Sequence, residues 1–450
     1  MRLPSKLSRA VACLAFSGLG TLAGTRVAVA APLSYEDARA SLRSVSDLRQ
    51  SAESAVTKSE HSARAADSLG LPEVSLNTTE VVGWKTATIE GTPLGRIDIR
   101  EDINGPRSSI NSTWSIYSGG RITATQRALA AGVDQARAEL VGTQEHLDLE
   151  LTQVYFGVAL AANVERTRAA QLEQADRHLE RAIQFEQRGV IAKVERLNAQ
   201  VARDEAAREL VGAQSDRKIA EARLQRLLHR DVAVEPSTPL FVIADGLKPL
   251  PDWISSAERQ NPVLAALDAK QEQARQGIVI AESRWKPEVF AFGSYNFIKR
   301  YQTLVEPNWI AGIGINFTLF SREDRANGVG AARAGLQQVQ SLQEETRNVI
   351  RSAVETSYRK VAQAREQFEL LDSTLVATHE NLRLRERGFE EGQATSLDVN
   401  DARNAVARAE TFRAKAAYDF VVALAQLLEA SGQTHAFPEY IHRADIKVNL

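Results

Sequence analysis

The chain has 450 residues, with 55 Lys and Arg against 57 Asp and Glu, and its formal net charge is −2. With both signs interspersed, that balance leaves no basic footprint for nucleic acid. A single cysteine excludes a disulfide framework and a cysteine-based metal centre.

Residues 1–30 read as a signal peptide. Arg2, Lys6 and Arg9 give a basic start, residues 10–24 form a short apolar run, and Ala28-Val29-Ala30 fits a small-x-small cleavage pattern. The run is too short and wrongly flanked for a permanent span. Cys13 lies inside it; Ala10-Val11-Ala12 before it hints at a lipoprotein cleavage site, but no apolar core precedes it. Removing the segment takes away Arg2, Lys6, Arg9 and Arg26, moves the formal charge from −2 to −6 and leaves no thiol. No later run of apolar residues is long enough for a spanning helix.

Length alone suggests two or three domains, but the prolines argue for long helices. Pro106 is followed by none until Pro236, and Pro307 by none until Pro438. The stretches between are rich in Ala, Gln, Glu, Arg and Leu, which favours helix. The chain is also written twice. Leu71-Pro72-Glu73-Val74 recurs as Lys286-Pro287-Glu288-Val289, a shift of 215. Beyond the next segment the shift is 203, matching Tyr117 with Phe320, Tyr155 with Tyr358, Gly189 with Gly392 and Ala199 with Ala402. The difference of 12 residues is a longer loop in the first copy, about 85–108, which holds Gly91, Pro93, Gly95, Gly105 and Pro106 and is expected to face outside.

Each copy reads as helix, strand, loop, strand, very long helix, turn, helix. The first repeat, 31–230, has a leading helix at about 34–69 and strands at about 72–84 and 109–118. Its long helix runs from about Arg121 to Gln187, and the returning helix covers about 191–229. Residues 231–250, with Pro236, Pro239 and Pro249, form a linker. The second repeat, 251–431, has a leading helix at about 251–284, opening near Asn261-Pro262, and strands at about 287–299 and 308–320. Its long helix runs from about Arg322 to Phe389, its returning helix covers about 395–431, and 432–450 is a tail. Each long helix spans roughly 100 Å at ~1.5 Å per residue. Leu147, Leu151, Val154 and Val158, and likewise Ile350, Val354, Tyr358 and Val361, form seams for antiparallel coiled-coil packing. Gly189 and Gly392 stand where each helix must reverse.

In 308–320, Trp309, Ala311, Ile313, Ile315, Phe317 and Leu319 share one face, and Gly312, Gly314, Asn316 and Thr318 the other. The strands match a tilted transmembrane strand in length, and Trp84, Trp114, Tyr295, Tyr301 and Trp309 suit aromatic girdles. Four such strands cannot stand alone in lipid, because both sheet edges would be unpaired. Two copies would close about 8 strands around a filled interior, and three about 12 around a lumen. The glycine- and Asn-bearing inner face favours the open barrel and a symmetric trimer. The expected fold is mainly α with a membrane β-barrel, continued by long antiparallel helical hairpins as a tunnel.

The two tips carry the most specific pattern: Arg188-Gly189-Val190-Ile191-Ala192-Lys193-Val194-Glu195-Arg196-Leu197-Asn198-Ala199 and Glu391-Gly392-Gln393-Ala394-Thr395-Ser396-Leu397-Asp398-Val399-Asn400-Asp401-Ala402-Arg403. With the duplication and strand pairs, they make the whole chain after residue 30 resemble the TolC-type outer-membrane factor family, which serves drug efflux and type I secretion. The resemblance implies an outer-membrane homotrimer in lipid that works with a periplasmic adaptor protein and an inner-membrane transporter.

Asp398 and Asp401 share a helix face just past the second turn. Read alone, two acids in a first turn simply suit the helix dipole. The resemblance places the pair at the periplasmic constriction, with Glu195 as the first-copy counterpart of Asp398. Like carboxylates gathered there would select cations. Phe389 stands where the family often has tyrosine, and Ala394 where arginine can occur, so the family's tip lock is not carried over. Arg196 and Arg403 are the alternative gating partners. Val190, Ile191, Gln393 and Ala394 are candidate adaptor contacts.

The seven histidines form no pair at metal-ligand spacing, and no nucleophile elbow or phosphate loop occurs. No catalytic residue, cofactor or metal site is expected. A periplasmic coiled-coil adaptor would have one hairpin flanked by β-rich domains rather than two in tandem. A purely structural coiled coil would not need the alternating strand at 308–320.

Overall fold

A computed structural model describes residues 31–448 except 94, 103, 233, 245–246, 299–306 and 323. The expected signal peptide and Tyr301 lie outside the described residues. The chain opens with β1 (Ala31–Leu33), α1 (Tyr35–Val45) and α2 (Asp47–Asp67). Next come β2 (Glu73–Val81), β3 (Trp84–Thr92), β4 (Gly95–Asp102) and β5 (Gly105–Tyr117), then the long α3 (Arg121–Gln187) and the returning α4 (Lys193–Leu227). β6 (Val234–Pro236) and β7 (Leu240–Val242) lead to the second copy: α5 (Leu250–Gln260), α6 (Pro262–Ser283), β8 (Glu288–Ile298), β9 (Trp309–Asn316), α7 (Arg325–Glu390) and α8 (Ser396–Ala430). The short α9 (Phe437–His442) and β10 (Ile446–Val448) follow. No helix among the described residues is long and apolar enough to cross a membrane.

Several boundaries differ from the sequence reading, each for a local reason. The leading helices are both broken, at Ser46 and at Asn261, the same position of the two copies at the 215 shift. Each residue is extended and its side chain accepts the exposed N–H of Arg49 or Val263, so each starts a new helix. The long loop is instead a β-hairpin, with β3 and β4 antiparallel from Trp84↔Asp102 to Thr92↔Gly95. Strand 109–118 begins earlier, at Gly105, because β2 offers it partners out to Val81. Strand 308–320 stops at Asn316 because its partner β8 starts opposite, at Glu288. Beyond that point Leu319 is 87% exposed.

Linker and tail are also paired. β6 lies parallel to β1, and β7 lies antiparallel to β10. These short ladders bring Phe241 into the main core beside Tyr35, Tyr155, Phe156, Trp253, Phe420 and Phe437. Tyr35 stacks on Phe156 at 5.7 Å, and the Tyr155 hydroxyl donates to the Leu33 carbonyl at 2.6 Å. Each such side chain contributes about 1.5–3 kcal/mol through burial. On α3, the buried Asp148 accepts from Arg39 at 2.5 Å and Arg43 at 3.1 Å, fastening α1 to the long helix.

The main sheet is antiparallel, in the order β2-β5-β8-β9. The expected seam residues Leu147, Leu151, Val158, Ile350, Val354 and Val361 are buried. The long hairpins α3–α4 and α7–α8 pack against each other along α3 and α8.

Candidate functional site: the hairpin tips and the four-stranded sheet

Each tip is built by one glycine in the left-handed region, Gly189 at φ 74° and Gly392 at φ 73°. The Val190 and Gln393 N–H groups reach back to the Phe185 and Gly388 carbonyls, at 2.9 and 2.7 Å, satisfying helix-end acceptors. A Cβ at either glycine would meet open space, so the φ angle, not crowding, calls for glycine.

The helices after the tips start differently. At the second, Thr395 and Asp398 form a capping box: the Thr395 hydroxyl accepts from Asp398 N–H at 3.2 Å, and the carboxylate accepts from Thr395 N–H at 2.9 Å. The Thr395 N–H and the Thr395 hydroxyl, which also donates to the carboxylate at 2.7 Å, together with Arg385 at 3.3 Å, hold the Asp398 carboxyl below its usual range. Asp401 lies on the exposed side of the same helix. At the first tip Ala192 offers no side-chain cap. Glu195 instead reaches across to accept from Ser396 N–H at 2.7 Å, so the first hairpin caps the second.

A small apolar cluster, separate from the main core, joins the two tips through Ala182, Ala199, Leu382, Phe389, Val399, Ala402 and Val406. Phe389 stacks on Phe185 at 6.0 Å and tilts over His178 at 4.7 Å. His178 is 2% exposed, and its Nε2 has no hydrogen-bond partner. Burial, helped by Arg403 and Arg181, pushes its pKa down to about 3. Sequence reading passed over it, yet Ala175, His178, Ala182 and Phe185 fall on a 3-4-3 seam that could have revealed it.

Arg196 pairs with Glu186 at 2.6 Å, and the buried Arg403 with Glu386 at 2.6 Å, each within its own hairpin. Arg403 keeps Nε and Nη1 without partners, and burial lowers its pKa. Arg196, Arg403 and Phe389 thus each have contacts within the chain. Of the candidate adaptor contacts, Val190 (59% exposed) and Gln393 are open, whereas Ile191 and Ala394 pack on the tip cluster.

The sheet separates two faces. Paired positions place Val74, Leu76, Ile110, Trp114, Tyr295, Trp309, Ile313 and Ile315 on one side, all exposed. Ser75, Asn77, Ser109, Asn111, Thr113, Ser294 and Asn316 lie on the other. This second face differs from expectation in that Phe290 and Phe292 stand opposite Gly314 and Gly312 and cover them, and Ile310 (50% exposed) lies opposite Ser294.

The family model for outer membrane efflux proteins matches residues 33–229 and 253–433. The chain belongs to this family. Curated relatives include Protein CyaE of Bordetella pertussis, 23% identical over 63% of this chain and 61% of its own length, so the match spans less than two thirds of that relative. Another is Outer membrane protein TolC of Vibrio cholerae, 23% identical over 66% of this chain and 70% of its own. Among solved structures, the outer membrane protein VceC from Vibrio cholerae is similar with a TM-score of 0.74 at 15% identity, covering 89% of this chain and 96% of that one. The Campylobacter jejuni CmeC outer membrane channel reaches 0.75 at 14% identity, covering 92% and 90%. The fold is therefore mainly helical and of the TolC-like channel type, and the family is one of outer-membrane efflux channels rather than of enzymes.

Proposed function

We propose that the chain is one protomer of a homotrimeric outer-membrane channel. The β9 edge of one protomer pairs with the β2 edge of the next, closing three four-stranded sheets into a 12-stranded barrel. The hairpins continue it as a tunnel through the periplasm. The observation that carries this reading is the sheet itself, with one exposed apolar face, one face that is mostly polar or glycine, and two outer strands that have no partner among the described residues. An adaptor protein has no use for such a sheet.

The channel passively conducts molecules handed to it by a periplasmic adaptor and an inner-membrane transporter, in an efflux or type I secretion system. Asp398 and Asp401 from three protomers form the periplasmic constriction, and Glu195 braces it from the neighbouring tip. Val190 and Gln393, backed by Ile191 and Ala394, present the adaptor surface.

The test is the mass and single-channel conductance of the detergent-purified protein. A trimer with small, cation-selective conductance is expected. A monomer or dimer without bilayer activity would overturn the reading.

A further inference from the structure

Phe290 and Phe292 stand out on the polar face of the sheet. Their neighbours across the ladder are Ser115 and Thr113 on one side and Gly314 and Gly312 on the other. The two rings lie 6.1 Å apart. A Cβ at Gly314 would come 2.5 Å from Phe290 Cζ, and one at Gly312 3.1 Å from the Phe292 ring, so each ring lies across a glycine. Both residues are half-buried and so keep part of their surface uncovered. Covering strand glycines protects the backbone there. It also leaves two aromatic plates in a polar setting, although the opposite face has ample apolar surface.

We propose that Phe290 and Phe292 form an aromatic collar inside the barrel that contacts apolar and cationic parts of the molecules passing through it. This rests on the trimeric barrel reading above. Three protomers would set six rings around the lumen, with the hydroxyls of Ser115 and Thr113 on one side, Ile310 beyond Gly312 and Glu288 beyond Phe290. Aromatic faces attract organic cations through the ring quadrupole, whereas the smaller, well-hydrated cations gain little.

The full-length trimer in planar bilayers tests this, with tetraphenylphosphonium and magnesium chloride each added on the extracellular side. The double variant Phe290→Ser with Phe292→Ser should weaken block by tetraphenylphosphonium about ten-fold and leave the effect of the strongly hydrated magnesium ion unchanged. Unchanged tetraphenylphosphonium block in an intact, conducting trimer overturns the collar and leaves the channel reading standing. Absence of any conductance from the unaltered protein overturns both. Should the double variant fail to assemble, Phe290→Leu and Phe292→Leu keep apolar cover over the glycines but remove the ring faces. Each should then lose about three-fold in block, and full retention overturns the collar.

Discussion

His229 and Gly432 occupy the same point of the duplicated chain, 203 residues apart, and each ends a returning helix in the left-handed region, at φ 49° and 72°. The hydrogen bonds are the same in kind: Arg230 N–H reaches the Gln225 carbonyl at 2.9 Å, and Gln433 N–H the Leu428 carbonyl at 2.7 Å. What differs is the space outside. The His229 side chain is 47% exposed, whereas a Cβ on Gly432 would lie 2.6 Å from the Gln260 carbonyl oxygen. The first copy therefore carries a side chain where the backbone prefers none, and the second has no room for one. His229→Gly should raise stability by about 0.5–1 kcal/mol, the usual relief of a strained left-handed residue. Gly432→Ala should cost more, about 2–3 kcal/mol, since backbone must move. Thermal midpoints of the two variants, measured side by side in one detergent, would separate the two environments.

At the scale of elements, two of the buried ionisable groups on α3, His178 and Glu145, respond to pH with opposite sign. His178, near the tip, has a pKa pushed down to about 3 by burial, against an ordinary value of about 6.5. Below about pH 6.5 the unfolded chain takes up the proton and the folded one does not, so stability is lost as pH falls toward 3. Glu145, on the other half of the same helix, is pushed up to about 8 by burial and by Glu429 and Asp148. Its contribution is fully present below the ordinary carboxyl value of about 4.3 and is lost as pH rises through 8. His178→Phe should flatten the acid side of the stability profile. Glu145→Gln should stabilise at pH 8 and change nothing at pH 4. Thermal unfolding across that range checks both, and a variant profile parallel to the parent's would contradict the assignment. Much of this was legible beforehand: missing prolines, the seam period and two glycines gave α3 from Arg121 to Gln187, as found. The opening of a helix at Asn261-Pro262 was also legible, as found; the break at Ser46 was not, because one capping side chain decides it. β6, β7 and β10 were missed because strands of three residues have no period to read. At the tips the residue types were visible but their partners were not. Glu195 meets Ser396 only because the two hairpins lie in one register, and no single segment encodes that register.

For the whole molecule, the apolar residues divide into a main core and a small tip cluster, so the tips are held by a core of their own. If the constriction lies there, Asp398→Ala with Asp401→Ala should raise conductance or weaken cation selectivity in bilayers. Loss of the capping box should also loosen the first turn of α8. Unchanged conductance and selectivity in an intact trimer would remove the acidic pair from the gate. The strand pairing at the linker has a different consequence. β1 and β10 both fasten to the segment joining the repeats, on β6 and β7, with only Ser237 to Pro239 between them. The described chain thus begins and finishes at the seam where its two halves meet, as a necklace does at its clasp. Read as a cycle, the two copies have no intrinsic first and second. A gene rearranged to start at the second copy, with residues 448 and 31 bridged, would trace the same contacts around the same clasp.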